Sequence, residues 1–190
     1  MKFRPARKSE CRAIARLYSI ASDGVADYVW TRLAEPGEEI LDVGQRRYEQ
    51  EQSVFSYRNC TVAVLGDGVA GMLVAFPMHV DPGQSPESDP VLAPYSRLEE
   101  DQSFYICGVA VFPEHQGQGI GSRFMALAEQ QAIAAGLNKL SLLVFEKNTG
   151  ACRLYERLGY LVKGREQVVP HPLIHHTGEI LLMVKPLADC

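Results

Sequence analysis

The sequence predicts a mixed α/β domain, and three observations carry the prediction. Apolar runs of strand length, CTVAVL (60–65), VAGMLVAF (69–76), SFYICGVAVF (103–112) and KLSLLVF (139–145), alternate with stretches whose apolar residues recur at helical spacing. A glycine-rich stretch, HQGQGIG (115–121), sits where the run VAVF hands over to a long helical pattern. The order strand, helix, strand through that stretch requires a crossover, so at least one strand pair is parallel.

Taken in order, MKFRPA reads as a short first strand. SECRAIARLYSIAS follows as a helix, with Ala13, Ile14, Leu17, Tyr18 and Ala21 on one face and Ser9 placed as its N-cap. Gly24 breaks it, and residues 27–51 read as further helix interrupted at Pro36-Gly37. Gly66-Asp67-Gly68 between the next two strands has hairpin turn chemistry. Residues 77–100 carry five prolines and read as a long surface loop with room for a short helix, not a second domain. The run 103–112 is apolar nearly throughout and is expected in the centre of the sheet. Ile120, Phe124, Leu127, Ala128 and Ala135 keep helical spacing up to Gly136. After KLSLLVF, Asn148 is placed to cap a helix with Ala151, Leu154, Tyr155 and Leu158 on its apolar face, ended by Gly159. YLVKGREQVV and GEILLMVKPL then read as a final strand pair joined by PHPLIHHT.

With 190 residues, 46% hydrophobic and 22% charged, the chain fits one soluble domain spanning 1–190. A net charge of −4 without a basic stripe argues against nucleic acid, and no apolar run reaches membrane-spanning length. The N-terminus has no apolar core of the kind a signal peptide needs. Five scattered cysteines, an odd number with no C-x-x-C pair, suit reduced thiols in the cytoplasm rather than disulfides or zinc.

A strand entering a glycine-rich turn and then a helix offers successive main-chain N–H groups at the positive end of a helix dipole. Glycine lets an anion's oxygen reach them without a Cβ in the way. The stretch is not G-x-x-x-x-G-K-[ST], because no lysine follows the last glycine. Nor is it G-x-G-x-x-G, since its glycines run G-x-G-x-G and fall late in the chain. A tight turn that binds nothing is the other reading of these residues alone.

VAVFPEHQGQGIGSRFM, however, resembles the acetyl-CoA-binding segment of the GCN5-related N-acetyltransferase (GNAT) superfamily, in which V-x-V-x-P ends a strand and Q/R-x-x-G-x-G/A opens a helix. Gln116, Gly119 and Gly121 stand at the key places. NTGACRLYERLGY, from residue 148, resembles the family's second signature, an asparagine opening a helix that carries a tyrosine before E-x-L-G-[FY]. The resemblance is to bacterial-type members and names no acceptor. It implies a mostly antiparallel sheet with a splayed parallel strand pair, flanked by helices. Acceptor-side helices would lie at about 9–52, an acetyl-CoA core at about 60–165 and a C-terminal strand pair at about 160–186.

The resemblance implies an acetyl-CoA-dependent N-acetyltransferase acting on a primary amine, and it distributes roles over the chain. Main-chain amides of Gln116, Gly117, Gln118, Gly119, Ile120, Gly121 and Ser122 would hold the pyrophosphate of coenzyme A. Val109 and Val111 would hydrogen-bond the pantetheine arm through their main chain, with an N–H near Val109 polarising the acetyl carbonyl. Asn148 would sit near the arm, and Tyr155 would give a proton to the leaving thiolate. Many members carry a glutamate base on the central strand, but here Tyr105, Ile106, Cys107 and Gly108 stand there. Glu100 is therefore expected as the base, with Glu99, Tyr105 or a water chain as alternatives; Cys107 as an acyl-carrying nucleophile departs from the family's direct transfer. No metal is expected. His175 and His176 are adjacent and make a poor chelate on a strand, and with His171 they read as loop residues near the acceptor.

The acceptor site would draw on GVADYVWTRLAEPG, with Tyr28 and Trp30, and on the 170–177 loop. Asp23, Asp27, Glu35, Glu38 and Glu39 would suit a cationic amine or form a solvated acidic surface. A small-molecule amine is the first expectation. A peptide or protein amine, and a non-catalytic acyl-CoA sensor, stay open. Many relatives pair through the sheet edge or the terminal strands, so a homodimer stays open as well.

Overall fold

The computed structural model describes residues 1–187; Cys190, one of the five cysteines, lies outside the described residues. Seven strands form the sheet: β1 (Lys2–Pro5), β2 (Cys60–Leu65), β3 (Gly68–Met78), β4 (Ser103–Val111), β5 (Lys139–Phe145), β6 (Leu161–Gln167) and β7 (Glu179–Pro186). Their order is β1-β2-β3-β4-β5-β7-β6, mostly antiparallel with β4 and β5 parallel, and β4 is central as its apolar run requires. The helices are α1 (Cys11–Ala21), α2 (Val25–Leu33), α3 (Ile40–Tyr48), a single turn α4 (Ala93–Ser96) in the proline-rich loop, α5 (Ile120–Ala134) and α6 (Thr149–Arg157). None of the described helices is long and apolar enough to cross a membrane.

The chain divides into two compact units, Met1–Phe76 with Cys107–Leu127, and Pro77–Ile106 with the residues from Ala128 on. The unit boundaries fall inside β3, β4 and α5.

In the first unit, Ile14 and Leu17 of α1, Trp30 of α2 and Tyr48 of α3 are fully buried. Two glycines are required by packing. A Cβ at Gly44 of α3 would stand 2.7 Å from the Trp30 ring, and one at Gly71 of β3 would stand 2.8 Å from the Ala110 carbonyl oxygen. The helix α1 starts differently from the expectation. Ser9 lies within a 3-10 turn (Lys8–Glu10) that runs into α1, so Glu10 and not Ser9 precedes the helix, and the Glu10 side chain makes no capping bond to α1. Its carboxylate accepts the Arg7 N–H at 2.8 Å and pairs with Arg4 at 2.6 Å.

In the second unit, β7 lies between β5 and β6, so β6 forms the sheet edge. Leu140, Leu142 and Ile180–Met183 are buried there, and the Ser103 and Ser141 hydroxyls meet at 2.6 Å on the paired β4 and β5. The proline-rich loop is anchored by its own apolar residues: Val91 and Leu98 are buried, and Leu98 lies where a Cβ at Gly164 would be.

Candidate active site

β4 buries alternate residues, so Cys107, Val109 and Val111 share its half-buried face. Its parallel register with β5 comprises Phe104↔Leu140, Tyr105↔Ser141 and Ile106↔Leu142, while β4 itself runs on to Val111. Beyond it a 3-10 turn (Pro113–His115) leads into the glycine stretch. There Gly117 and Gly119 have φ of +75° and +76°, the left-handed region that glycine enters without cost. A Cβ at Gly117, Gly119 or Gly121 would meet nothing within 4 Å, so the backbone of the turn is open to an incoming group. The Gln116 side chain folds back and donates to the Val111 carbonyl at 3.3 Å, tying the turn to the strand end.

Ile120 is buried and anchors the first turn of α5. The first intrahelical bond runs from the Arg123 N–H to the Gly119 carbonyl at 3.1 Å. Hence the N–H groups of Ile120, Gly121 and Ser122 have no acceptor within the helix and face outward at its positive end. This geometry suits an anion of the size of a phosphate.

In the second unit, Asn148 caps α6, its side-chain oxygen accepting from the Ala151 N–H at 3.3 Å. No residue of α6 is fully buried, Tyr155 included, and the Tyr155 ring lies 5.8 Å from that of Tyr160. Glu100, expected as the base, is 9% exposed and bound by two ammonium groups, Lys139 and, at 2.6 Å, Lys163. Burial pushes its carboxyl up, but the two lysines outweigh burial and hold it below the usual carboxylate range. Glu99 stays largely exposed, yet the protein around its carboxyl raises it.

Replacing Glu100 by glutamine leaves two lysines facing a neutral amide and is expected to cost about 1–3 kcal/mol. Because the folded carboxyl is depressed, its contribution is complete above the unfolded carboxylate pKa and disappears as pH falls through the folded value. Urea unfolding of both proteins at pH 7 and pH 3 is expected to show the full gap at pH 7 and a smaller one at pH 3.

The acidic residues of the early helices are largely committed. Asp27 accepts from the Ser19 hydroxyl at 2.9 Å, and Glu38 binds Arg46 at 2.8 Å. Between α1, α2, α3 and the following loop lies an aromatic cluster of which sequence reasoning named Trp30 and, as a helix-face residue, Tyr18. Tyr18 meets the rings of Trp30 at 6.3 Å, Tyr48 at 5.6 Å and Phe55 at 6.0 Å. The Tyr18 hydroxyl lies 3.1 Å from the Cys107 thiol of β4. Burial pushes that thiol up to about 11, against the opposing Tyr18 hydrogen bond and Arg47 charge, so Cys107 is a poor nucleophile near neutral pH. The hydroxyl of Tyr48 is buried without a hydrogen-bond partner.

Of the loop histidines, His171 accepts from the Leu173 N–H at 3.2 Å, and the His176 ring stacks 4.9 Å from Phe145. No group of three or more metal-ligating side chains occurs among the described residues.

The model of the Acetyltransferase (GNAT) family matches residues 25–160, and the chain belongs to that family. Among curated proteins, thialysine N-epsilon-acetyltransferase of Bos taurus is 36% identical over 58 residues, 30% of this chain and 34% of that protein, so the match spans about a third of its length. An N-acetyltransferase from Staphylococcus aureus Mu50 shares the fold with a TM-score of 0.69 at 17% identity, covering 97% of this chain and all of that one. The yncA acetyltransferase of Salmonella typhimurium, solved with its cofactor acetyl-CoA, gives a TM-score of 0.66 at 20% identity over 100% of this chain and 95% of that one.

Proposed function

We propose that this acetyltransferase transfers the acetyl group of acetyl-CoA directly to a primary amine of a small molecule. The observation that carries the reading is the turn at 116–122, where open glycine backbone and helix N–H groups with no acceptor inside the helix fit the coenzyme's pyrophosphate. Bovine thialysine N-epsilon-acetyltransferase, by its name, acetylates the side-chain amine of a small amino acid, which supports an acceptor of that size.

Acetyl-CoA supplies an activated thioester; the protein's share is to bind, polarise and move protons. In the proposal, the amides of Gln116 through Ser122 hold the pyrophosphate, and the main chain of Val109 and Val111 carries the pantetheine arm. An N–H near Val109 stabilises charge on the acetyl oxygen. Asn148 keeps α6 in place beside the arm. The amine nitrogen forms the new C–N bond, the C–S bond breaks, and the Tyr155 hydroxyl gives its proton to the departing thiolate. Glu100 stays in its ion pair with Lys139 and Lys163, since a carboxylate so held is a weak base.

Because an ammonium has no lone pair, the acceptor first loses a proton to water held along the β4 carbonyls; after the attack the nitrogen's second proton returns through water to the Tyr155 oxygen. With no tuned side-chain base, kcat/KM is expected to climb with pH toward the amine's own pKa, about 10 for a lysine-like acceptor. A plateau beginning near neutral pH would instead assign a raised carboxylate such as Glu99.

The free cysteines Cys11, Cys60, Cys107 and Cys152 suit a reducing compartment, and the proposal places the enzyme in the cytoplasm. Release of CoA thiol from acetyl-CoA, measured across amines and peptides, tests the reading. Turnover on small amines supports it, turnover confined to peptides replaces the acceptor, and binding without turnover makes the protein an acyl-CoA sensor.

A further inference from the structure

Resting on the transferase reading, the acceptor can be narrowed by an arginine that lines a cavity among the early helices and that no carboxylate bridges among the described residues. A cavity of about 360 Å³ opens in the first unit, lined by Leu33, Val43, Arg46, Arg47, Gln50 and Ser53. Arg46 is neutralised, donating to both carboxylate oxygens of Glu38 at 2.8 and 2.9 Å. The other acids around it are also engaged: Asp42 with Arg12, Glu49 with Gln45 and Glu51 with Arg58. Arg47 differs. Its guanidinium lies 4.3 Å over the Phe55 ring, and no carboxylate bridges to it among the described residues.

A half-buried guanidinium held over an aromatic face keeps its planar fork of N–H donors for a carboxylate or phosphate, which it can bind bidentately. Its place in the unit connects the cavity with β4. Phe55 touches Tyr18, Tyr18 meets Cys107, and the Arg47 charge is close enough to act on both Cys107 and Tyr48. Cys107 lies two residues before Val109 on the same face of the strand, about 7 Å along it.

We propose that Arg47 binds an anionic group of the acceptor, so that the enzyme prefers primary amines carrying a carboxylate at the far end of a several-atom spacer. The rings of Phe55 and Tyr18 stand between the guanidinium and β4, which is why the two ends must be separated. Leu33 and Val43 supply an apolar wall for the spacer.

The test compares 6-aminohexanoate with hexylamine, an amine of the same length without the carboxylate. The wild type is expected to show at least a ten-fold higher kcat/KM for 6-aminohexanoate, expressed in KM, as a carboxylate–guanidinium contact provides. Arg47→Gln is expected to erase that preference by raising KM for 6-aminohexanoate alone, and Arg47→Lys to restore part of it. Calorimetric binding of 6-aminohexanoate and hexylamine to the wild type and to Arg47→Gln is measured in parallel. It reads the anion contact even where turnover is absent, so failure of the transferase reading remains separate from failure of this one. Equal affinity of the wild type for the two amines overturns the proposal, as does an Arg47→Gln protein that loses both substrates equally.

Discussion

Replacing Tyr155 by phenylalanine is expected to lower kcat at neutral pH by about a hundred-fold, the lower range of a positioned proton donor's contribution, while acetyl-CoA still binds. The ring is retained, so its packing 5.8 Å from Tyr160 on a helix with no fully buried residue should persist, and the fold with it. Only the O–H is removed. A thiol's unperturbed pKa is about 8.5, so above that pH the departing thiolate needs no proton donor. The deficit of Tyr155→Phe is therefore expected to shrink in alkaline buffer, which a pH profile of kcat for both proteins would read. A loss of equal size at every pH, accompanied by lost acetyl-CoA binding, would make Tyr155 a packing residue instead.

Gly119→Ala is expected to weaken acetyl-CoA at least ten-fold, a methyl's exclusion of a phosphate from main-chain N–H groups being worth about 1.4 kcal/mol or more. The same change costs about 1–2 kcal/mol of stability, because an L-residue is held at a φ of +76°. The protein itself does not obstruct the methyl: nothing lies within 4 Å of it, so the chain is expected to fold. Gly121→Ala is the matching control. Gly121 lies inside α5 at a position where the family signature accepts alanine, so stability is expected to rise by about 0.5–1 kcal/mol with binding retained. Thermal unfolding alongside ligand titration separates the two effects.

These two variants probe residues legible in the chain, because each belongs to a local pattern. HQGQGIG fixes a turn through glycines a few residues apart, and Asn148 with Gly159 brackets a single helix, so neither depends on distant partners. Element order was legible for the same reason. Where the sequence reading went astray, long-range charge decided. Ser9 has the chemistry of a cap, but Glu10, tied to Arg4 of the first strand, closes a 3-10 turn that takes Ser9 inside it. Glu100 looked available as a base until Lys139 and Lys163, remote in sequence, closed on it. The aromatic cluster was hidden too: Tyr18, Tyr48 and Phe55 lie on separate segments, and only the packed unit brings them to Cys107. Arg47 could be recognised as uncommitted only after each neighbouring acid had been matched to its own partner.

Calorimetric titration of the wild-type protein with acetyl-CoA, repeated on Gly119→Ala, addresses the central claim most directly. The turn at 116–122 predicts saturable one-to-one binding to the wild type in the micromolar to sub-millimolar range usual for enzyme substrates, with a large loss in Gly119→Ala. No binding to the wild type, or equal binding to both proteins, would contradict the assignment of that turn to the coenzyme's pyrophosphate.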